Sequence, residues 1–215
     1  MKSVLILGAG NFGSMLARQM NAKGYEIMIV DVRENLINAV MPYVTDAQIG
    51  DCTNPVFLQT LGVDNYDLCV VSISENFQTS LETTSLLKEL GAKQVISRAK
   101  NEIQEKFLLR NGADEVVYPE KQIALRLATK YASEKILDFL QFADGYSIYE
   151  VVVPSQWFGK TLLQLDVRKK LNVSIISLRR DGQISFPRPD EPFREGDAVF
   201  AVGDMKDIQR CFRIR

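Results

Sequence analysis

Six residues near the start of the chain, Gly8-Ala9-Gly10-Asn11-Phe12-Gly13, set three glycines at GxGxxG spacing directly after the apolar run Val4 to Leu7. Glycines at this spacing alone mark only a tight turn. They gain chemistry from their setting: they open a helix-like segment, Phe12 to Ala22, and Asp31 stands at the end of the next apolar run, 18 residues beyond Gly13. In that setting Gly8 makes the turn, Gly10 lets phosphate oxygens approach the backbone, and Gly13 lets the helix pack closely on the strand. The helix N-terminus offers free N–H groups and a partial positive charge to the anion. Asp31 accepts from ribose hydroxyls and repels a 2′-phosphate, with Arg33 beside it keeping a phosphorylated ribose open. The expected ligand is an adenine nucleotide, held by this loop and by Asp31, Val32 and Arg33.

Further polar residues fall where other strands should end. Gly50-Asp51-Cys52-Thr53 follows the third apolar run, Ser72-Ile73-Ser74-Glu75-Asn76 the fourth, and Arg98 the fifth. Ligands of open α/β sheets bind at that edge. Asp51, Cys52, Thr53, Ser72, Ile73, Ser74, Asn76 and Arg98 therefore join the candidate site. Taken singly, Asp51, Thr53 and Ser74 read equally well as helix caps.

The elements that must position these groups alternate. Val4 to Leu7, Ile27 to Val30, Ala47 to Ile49, Leu68 to Ile73, Gln94 to Ser97 and Glu115 to Tyr118 read as strands, each with room for a helix after it. Gly24, Gly91 and Gly112 punctuate helix ends. The fold class is α/β, a Rossmann-type doubly wound parallel sheet over residues 1–120. A helix then runs from Gln122 to about Leu140, its apolar stripe formed by Ile123, Leu127, Ala128, Tyr131, Ile136, Leu137 and Leu140. Packing on the sheet and dimerisation both account for that stripe, and residues 121–144 are assigned to this helix and a linker. From 145 to 215 short extended runs surround a helix near Leu162 to Lys170. The turn Arg180-Asp181-Gly182-Gln183 signals a hairpin. This is a small α+β domain, small enough to need a partner to complete its core.

Composition narrows the function. Twenty-six basic and 27 acidic side chains, mixed along the chain, leave a net charge of -1 and no basic patch for nucleic acid. Cys52, Cys69 and Cys211 lack metal-ligand spacing and suit a reducing compartment. No run reaches the roughly 18 apolar residues of a membrane span, and no secretory signal precedes the first strand, so a cytoplasmic protein is expected. Histidine is absent, which removes the commonest general acid–base group. The alternative reading is an NAD-dependent oxidoreductase, motivated by Tyr131-Ala132-Ser133-Glu134-Lys135, a Tyr-x-x-x-Lys pair; few residues remain to build its substrate pocket.

Beyond these features, the chain resembles the RCK family, the cytosolic regulators of potassium conductance of Trk and Ktr uptake systems. The resemblance rests on the loop at 8 to 13, Val30-Asp31, Gly50-Asp51-Cys52-Thr53, Asn76, Gly112-Ala113-Asp114, Pro119-Glu120, Leu165-Asp166-Val167-Arg168 and Phe193-Arg194-Glu195-Gly196-Asp197. It implies a non-enzymatic, nucleotide-sensing subunit that binds ATP, ADP, AMP or NAD(H). It further implies a homo-oligomer, dimers building a tetramer or octameric ring, attached through a membrane channel or transporter to the inner face of the cell membrane. It makes the segment from Gln122 to Leu140 a crossover helix, Glu120 a position for a divalent cation, and Arg168 with Asn172 matching positions for cyclic di-AMP. Asn11 departs from the pattern, since many Ktr-type members carry an arginine there that reaches a terminal phosphate.

Overall fold

The computed structural model describes residues 2–143 and 145–214. Within β1 (Ser3–Leu7), Val4 and Ile6 face one side while Leu5 and Leu7 face the other, and all four are buried. A strand covered on both faces needs apolar residues at every position. The run continues through α1 (Asn11–Asn21), β2 (Glu26–Asp31), α2 (Glu34–Val40), β3 (Asp46–Ile49), α3 (Pro55–Thr60), β4 (Leu68–Val71), α4 (Phe77–Glu89), β5 (Val95–Arg98), α5 (Glu102–Arg110) and β6 (Glu115–Val117). The strands form a parallel sheet in the order β3-β2-β1-β4-β5-β6. Helices α1 and α2 bring Ala17, Ile37 and Val40 onto one face; α3 and α4 bring Leu58 and Leu87 onto the other. The order reverses between β1 and β4, which is where doubly wound sheets open a crevice. Gly24, Gly91 and Gly112 have φ of 82°, 83° and 108°, as helix-ending glycines do.

The chain divides into two compact units, Met1–Glu120 and Lys121–Arg215. One expectation is corrected at the start of the second. Helix α6 (Pro119–Tyr131) stops at Tyr131, and Ile136 to Leu140 belong to a strand, β7 (Ile136–Ala143). The turn between them is fixed by the Ile136 N–H on the Ser133 carbonyl and the Lys135 N–H on the Ser133 hydroxyl. The proposed crossover helix is therefore shorter, and residues assigned to a linker form an edge strand.

The second unit continues with β8 (Tyr146–Val152), α7 (Leu162–Leu165), α8 (Val167–Leu171), β9 (Ser174–Arg180), β10 (Gln183–Ser185), β11 (Ala198–Gly203) and α9 (Met205–Phe212). Its antiparallel sheet has the order β10-β9-β11-β8-β7. The helix expected near Leu162 to Lys170 is two helices, broken by Asp166 at φ 46°. Asp181 and Gly182, at φ 51° and 77°, make the hairpin turn that closes β9 on β10. One sheet face packs under α9 through Ile208, Cys211 and Phe212, with Trp157 between the rings of Phe193 and Phe212 at 5.3 and 5.1 Å.

A buried ion pair pins this unit together. Arg180 donates from Nε and Nη2 to the two oxygens of Asp197 at 2.8 and 2.7 Å and pairs with Glu191 through Nη1; the Asp197 side chain is 1% exposed. Burial pushes the Asp197 carboxyl up, but Arg180 and the Arg194 N–H outweigh it and hold it below the ordinary 3.8. A depressed carboxyl stabilises the fold above its unfolded value and loses that contribution as pH falls through the folded value. Arg180→Met should therefore cost the second unit about 3–5 kcal/mol by stranding Asp197. The difference between parent and variant in denaturant titrations should shrink below pH 3.8; a difference that stays constant into acid would refute this origin.

Candidate nucleotide-binding site

Three strand ends are tied side by side before any loop begins. The Gly8 N–H donates to the Val30 carbonyl at 2.7 Å, and the Ser72 N–H to the Leu7 carbonyl at 2.8 Å. Above them lies a cleft of about 470 Å³ at the carboxyl edge of the sheet, within the usual size range of small-molecule sites. Gly8, Gly10, Asn11, Phe12, Asp31, Val32 and Arg33 line it, together with Asp51, Cys52, Ser72, Ile73, Ser74, Asn76 and Arg98. Three candidates have other places. Ala9 is buried with its N–H on Asp31, Gly13 packs beneath the loop, and the Thr53 hydroxyl donates to Asp51 at 2.7 Å. Leu36, Gly50, Glu75 and Thr79 also line the cleft. Gly50 and Glu75 lay inside the strand-end segments already singled out; Leu36 and Thr79 sit in the first turns of α2 and α4, where nothing in the sequence marks them.

Each glycine has a distinct physical reason. Gly8 adopts φ +106°, which strains any side chain. A Cβ on Gly13 would lie 2.0 Å from the Gly8 carbonyl oxygen and 2.4 Å from Ser72 Oγ. At Gly10 a Cβ would meet nothing within 4 Å, and φ -65° with ψ -174° suits any residue. The protein itself makes no demand for glycine there, so the space suits a ligand pressed against the backbone. Helix α1 begins at this point with no capping side chain and no acid in its first turn, leaving its first N–H groups and its dipole facing an anion.

Ser72 acts below the loop: its buried hydroxyl donates to the Gly8 carbonyl at 2.5 Å. The reading of Asp51, Thr53 and Ser74 as helix caps is corrected. Asn54 caps α3 and Asn76 caps α4, each accepting from two backbone N–H groups, while Asp51 accepts from the Thr53 N–H and hydroxyl. Those two bonds hold the Asp51 carboxyl below its ordinary value. Cys52 is buried, which pushes its thiol up to about 12 and leaves it unreactive.

Asp31 is the most constrained group. It accepts from the Ala9 N–H at 2.8 Å, the Arg33 N–H at 2.9 Å, and Arg33 Nε and Nη2 at 3.1 and 3.4 Å. Burial raises its pKa, yet these donors outweigh it and keep the carboxyl below 3.8. Arg33 Nη1 reaches Glu75 at 2.8 Å. On the other side Arg98 lies over the Phe12 ring, 5.5 Å from its centroid, and pairs with Glu120. Its Nε is buried without a hydrogen-bond partner among the described residues. Glu120, in the first turn of α6, is kept ionised by its own backbone N–H and by Arg98. Among the described residues no group of three or more His, Cys, Asp or Glu could hold a metal ion. One chain therefore supplies at Glu120 a lone carboxylate already paired with Arg98. Arg168 is exposed on α8, and Asn172, at φ 54°, donates to Asp207 at 3.3 Å.

Family models for the TrkA-N domain and the TrkA-C domain match residues 4–119 and 147–214. Ktr system potassium uptake proteins C and A of Bacillus subtilis (strain 168) are 35% and 33% identical over 210 residues, covering 97% of this chain and 95% of each relative. The chain belongs to the RCK family of Trk- and Ktr-type potassium-uptake proteins. The solved GsuK channel bound to NAD shares the fold of this RCK chain, with a TM-score of 0.69 at 16% identity over 99% of this chain and 39% of that one. Family membership makes this RCK chain a regulator and not an enzyme. The Tyr131 and Lys135 of the alternative reading do not share one helix: Tyr131 ends α6 with 78% exposure, while Lys135 lies beyond the turn with its amine on the Arg213 carbonyl at 2.8 Å. The described residues include no helix long and apolar enough to cross a membrane.

Gly13→Ala should destabilise the first unit of this RCK protein by about 1–3 kcal/mol, because backbone rather than a flexible side chain must give way. Gly10→Ala meets no clash and should cost less, about 0.5–1 kcal/mol, through the poorer N-cap alone. Equal losses in thermal unfolding would contradict this division of roles.

Proposed function

We propose that this chain is the nucleotide-sensing subunit of a potassium-uptake system, on the cytoplasmic face of the membrane, where it binds an adenine nucleotide in the first unit and gates a channel or transporter partner. The observation that carries the reading is Gly10, a glycine the fold leaves unconstrained, beside an uncapped helix N-terminus. In this reading the α1 N–H groups and Arg98 hold phosphate, Asp31 holds the ribose, and Val32, Leu36 and Ile73 give the base an apolar wall. The resemblance to potassium-uptake proteins over nearly the whole chain supports the output, and a fold shared with a channel bound to NAD supports the ligand class.

Assembly into a homo-oligomer follows from the same reading. Helix α6 leaves Ile123, Leu125 and Leu127 exposed, and β7 leaves Leu140 and Phe142 exposed beside them, an apolar surface that a second copy would cover. Gating then needs a nucleotide with different affinities for two shapes of that assembly, since tight binding to both shifts nothing.

Mass spectrometry of nucleotides released from purified protein should find ATP, ADP, AMP or NAD(H). Calorimetry with the same panel should show Gly10→Val at least about tenfold weaker, the equivalent of about 1.4 kcal/mol, in a protein that remains folded at the temperature of the titration. A protein that carries none of these nucleotides and gives no binding heat rules the proposal out. Small-angle scattering should separate at least two bound nucleotides by profile; identical profiles despite measured binding would remove the shape-based mechanism.

A further inference from the structure

We propose that Arg33 is an internal competitor for the ribose subsite, so that a nucleotide binds by exchanging its hydroxyls for the Arg33 guanidinium on Asp31. The inference rests on the adenine-nucleotide reading and deepens it. An ionised carboxylate offers about four acceptor positions. Asp31 has four donors in place: two backbone N–H groups, from Ala9 and Arg33, and two nitrogens of the Arg33 guanidinium. The backbone pair is fixed by the loops that carry it. Only the guanidinium pair can be exchanged, and ribose hydroxyls seeking this carboxylate must take its places.

The chain is built to permit the exchange. Asp31 is 5% exposed and so weakly screened, whereas the Arg33 side chain is 42% exposed and can swing outward without moving backbone. Its far end holds Glu75, which is 75% exposed and forms only a weak tether. The Ala9 and Arg33 N–H bonds keep Asp31 in position while the guanidinium leaves. Arg33 thereby sets affinity for ribose-bearing ligands, lowering it for all of them, and Glu75 adds to that effect by tethering the guanidinium where it holds Asp31.

The sign of the effect makes the inference testable. Removing a cation from an anion-binding cleft ordinarily weakens binding, whereas removing a competitor tightens it. In calorimetric titrations of the full-length protein, Arg33→Met should bind AMP and NADH about tenfold more tightly than the parent, since a charge-assisted hydrogen-bonded pair is released from competition. Glu75→Gln, which leaves Asp31 untouched, should give a gain of the same sign and smaller size. With 2′,3′-dideoxy-AMP, which has no hydroxyl for Asp31, parent and Arg33→Met should bind alike. Equal or weaker AMP binding by Arg33→Met overturns the inference, because Arg33 then contacts the ligand or plays no part. An equal gain for the dideoxy nucleotide also overturns it, because the gain is then one of general access. Failure of every form, Arg33→Met included, to bind AMP or NADH removes the nucleotide reading itself.

Discussion

The buried carboxylate of Asp31 is the constraint on which the first unit's site depends. A charge taken out of water needs donors, and here they come from two loops: the Ala9 N–H from the glycine loop and the Arg33 N–H from the start of α2. Neither loop can shift without leaving the carboxylate unsatisfied. From the other side Ser72 holds the Gly8 carbonyl, so the glycine loop is clamped between the ends of β2 and β4. The cleft is thus shaped before any ligand arrives, and ligand binding need not supply the ordering of its walls.

The second unit uses the same chemistry to a different end. Arg180 meets Asp197 in a fork much as Arg33 meets Asp31, but its side chain is 16% exposed and is held by Glu191 and the Pro192 carbonyl as well. Withdrawal would strand the buried Asp197 and give up Glu191 and the Pro192 carbonyl as well, so that pair is a permanent fastening. Arg33, more exposed and tethered beyond Asp31, among the described residues, only to a surface glutamate, can be exchanged. The difference between a structural ion pair and an adjustable one lies in what else the arginine must abandon.

The site was legible in sequence wherever a single residue type answers a single steric or electrostatic demand. Gly8, Gly13 and Asp31 are such positions, as are the strands whose two buried faces force continuous apolar runs. The end of α6 was not. Ile136, Leu137 and Leu140 repeat the three-and-four spacing among themselves but follow Tyr131 after a step of five, and joining the two sets into one stripe carries the helix too far. What stops it is partly distant: Ile136 and Phe139 are buried with Tyr149, Val151 and Phe212, and the Lys135 amine is drawn to the carbonyls ending α9. No local pattern encodes those partners. In sequence Arg33 reads as a binding residue that keeps a 2′-phosphate open; its hold on Asp31 and Glu75 depends on how the loops after β2 and β4 converge.

Asn11 gives this convergence its consequence for ligand choice. With asparagine in that place, the cations lining the cleft among the described residues are Arg33 and Arg98, and each already has an acidic partner. In the proposed reading phosphate charge is met first by the uncapped N-terminus of α1, whose dipole does not have to be taken from anything. A further phosphate in that reading shares Arg98 with Glu120, which holds its Nη2, whereas the ribose must displace Arg33 from Asp31. A site in which the ribose displaces one internal ion pair and a phosphate shares another gains little from charge alone. Its ranking of nucleotides is set by the difference between each exchange and its predecessor, which is the kind of modest differential affinity a sensor needs.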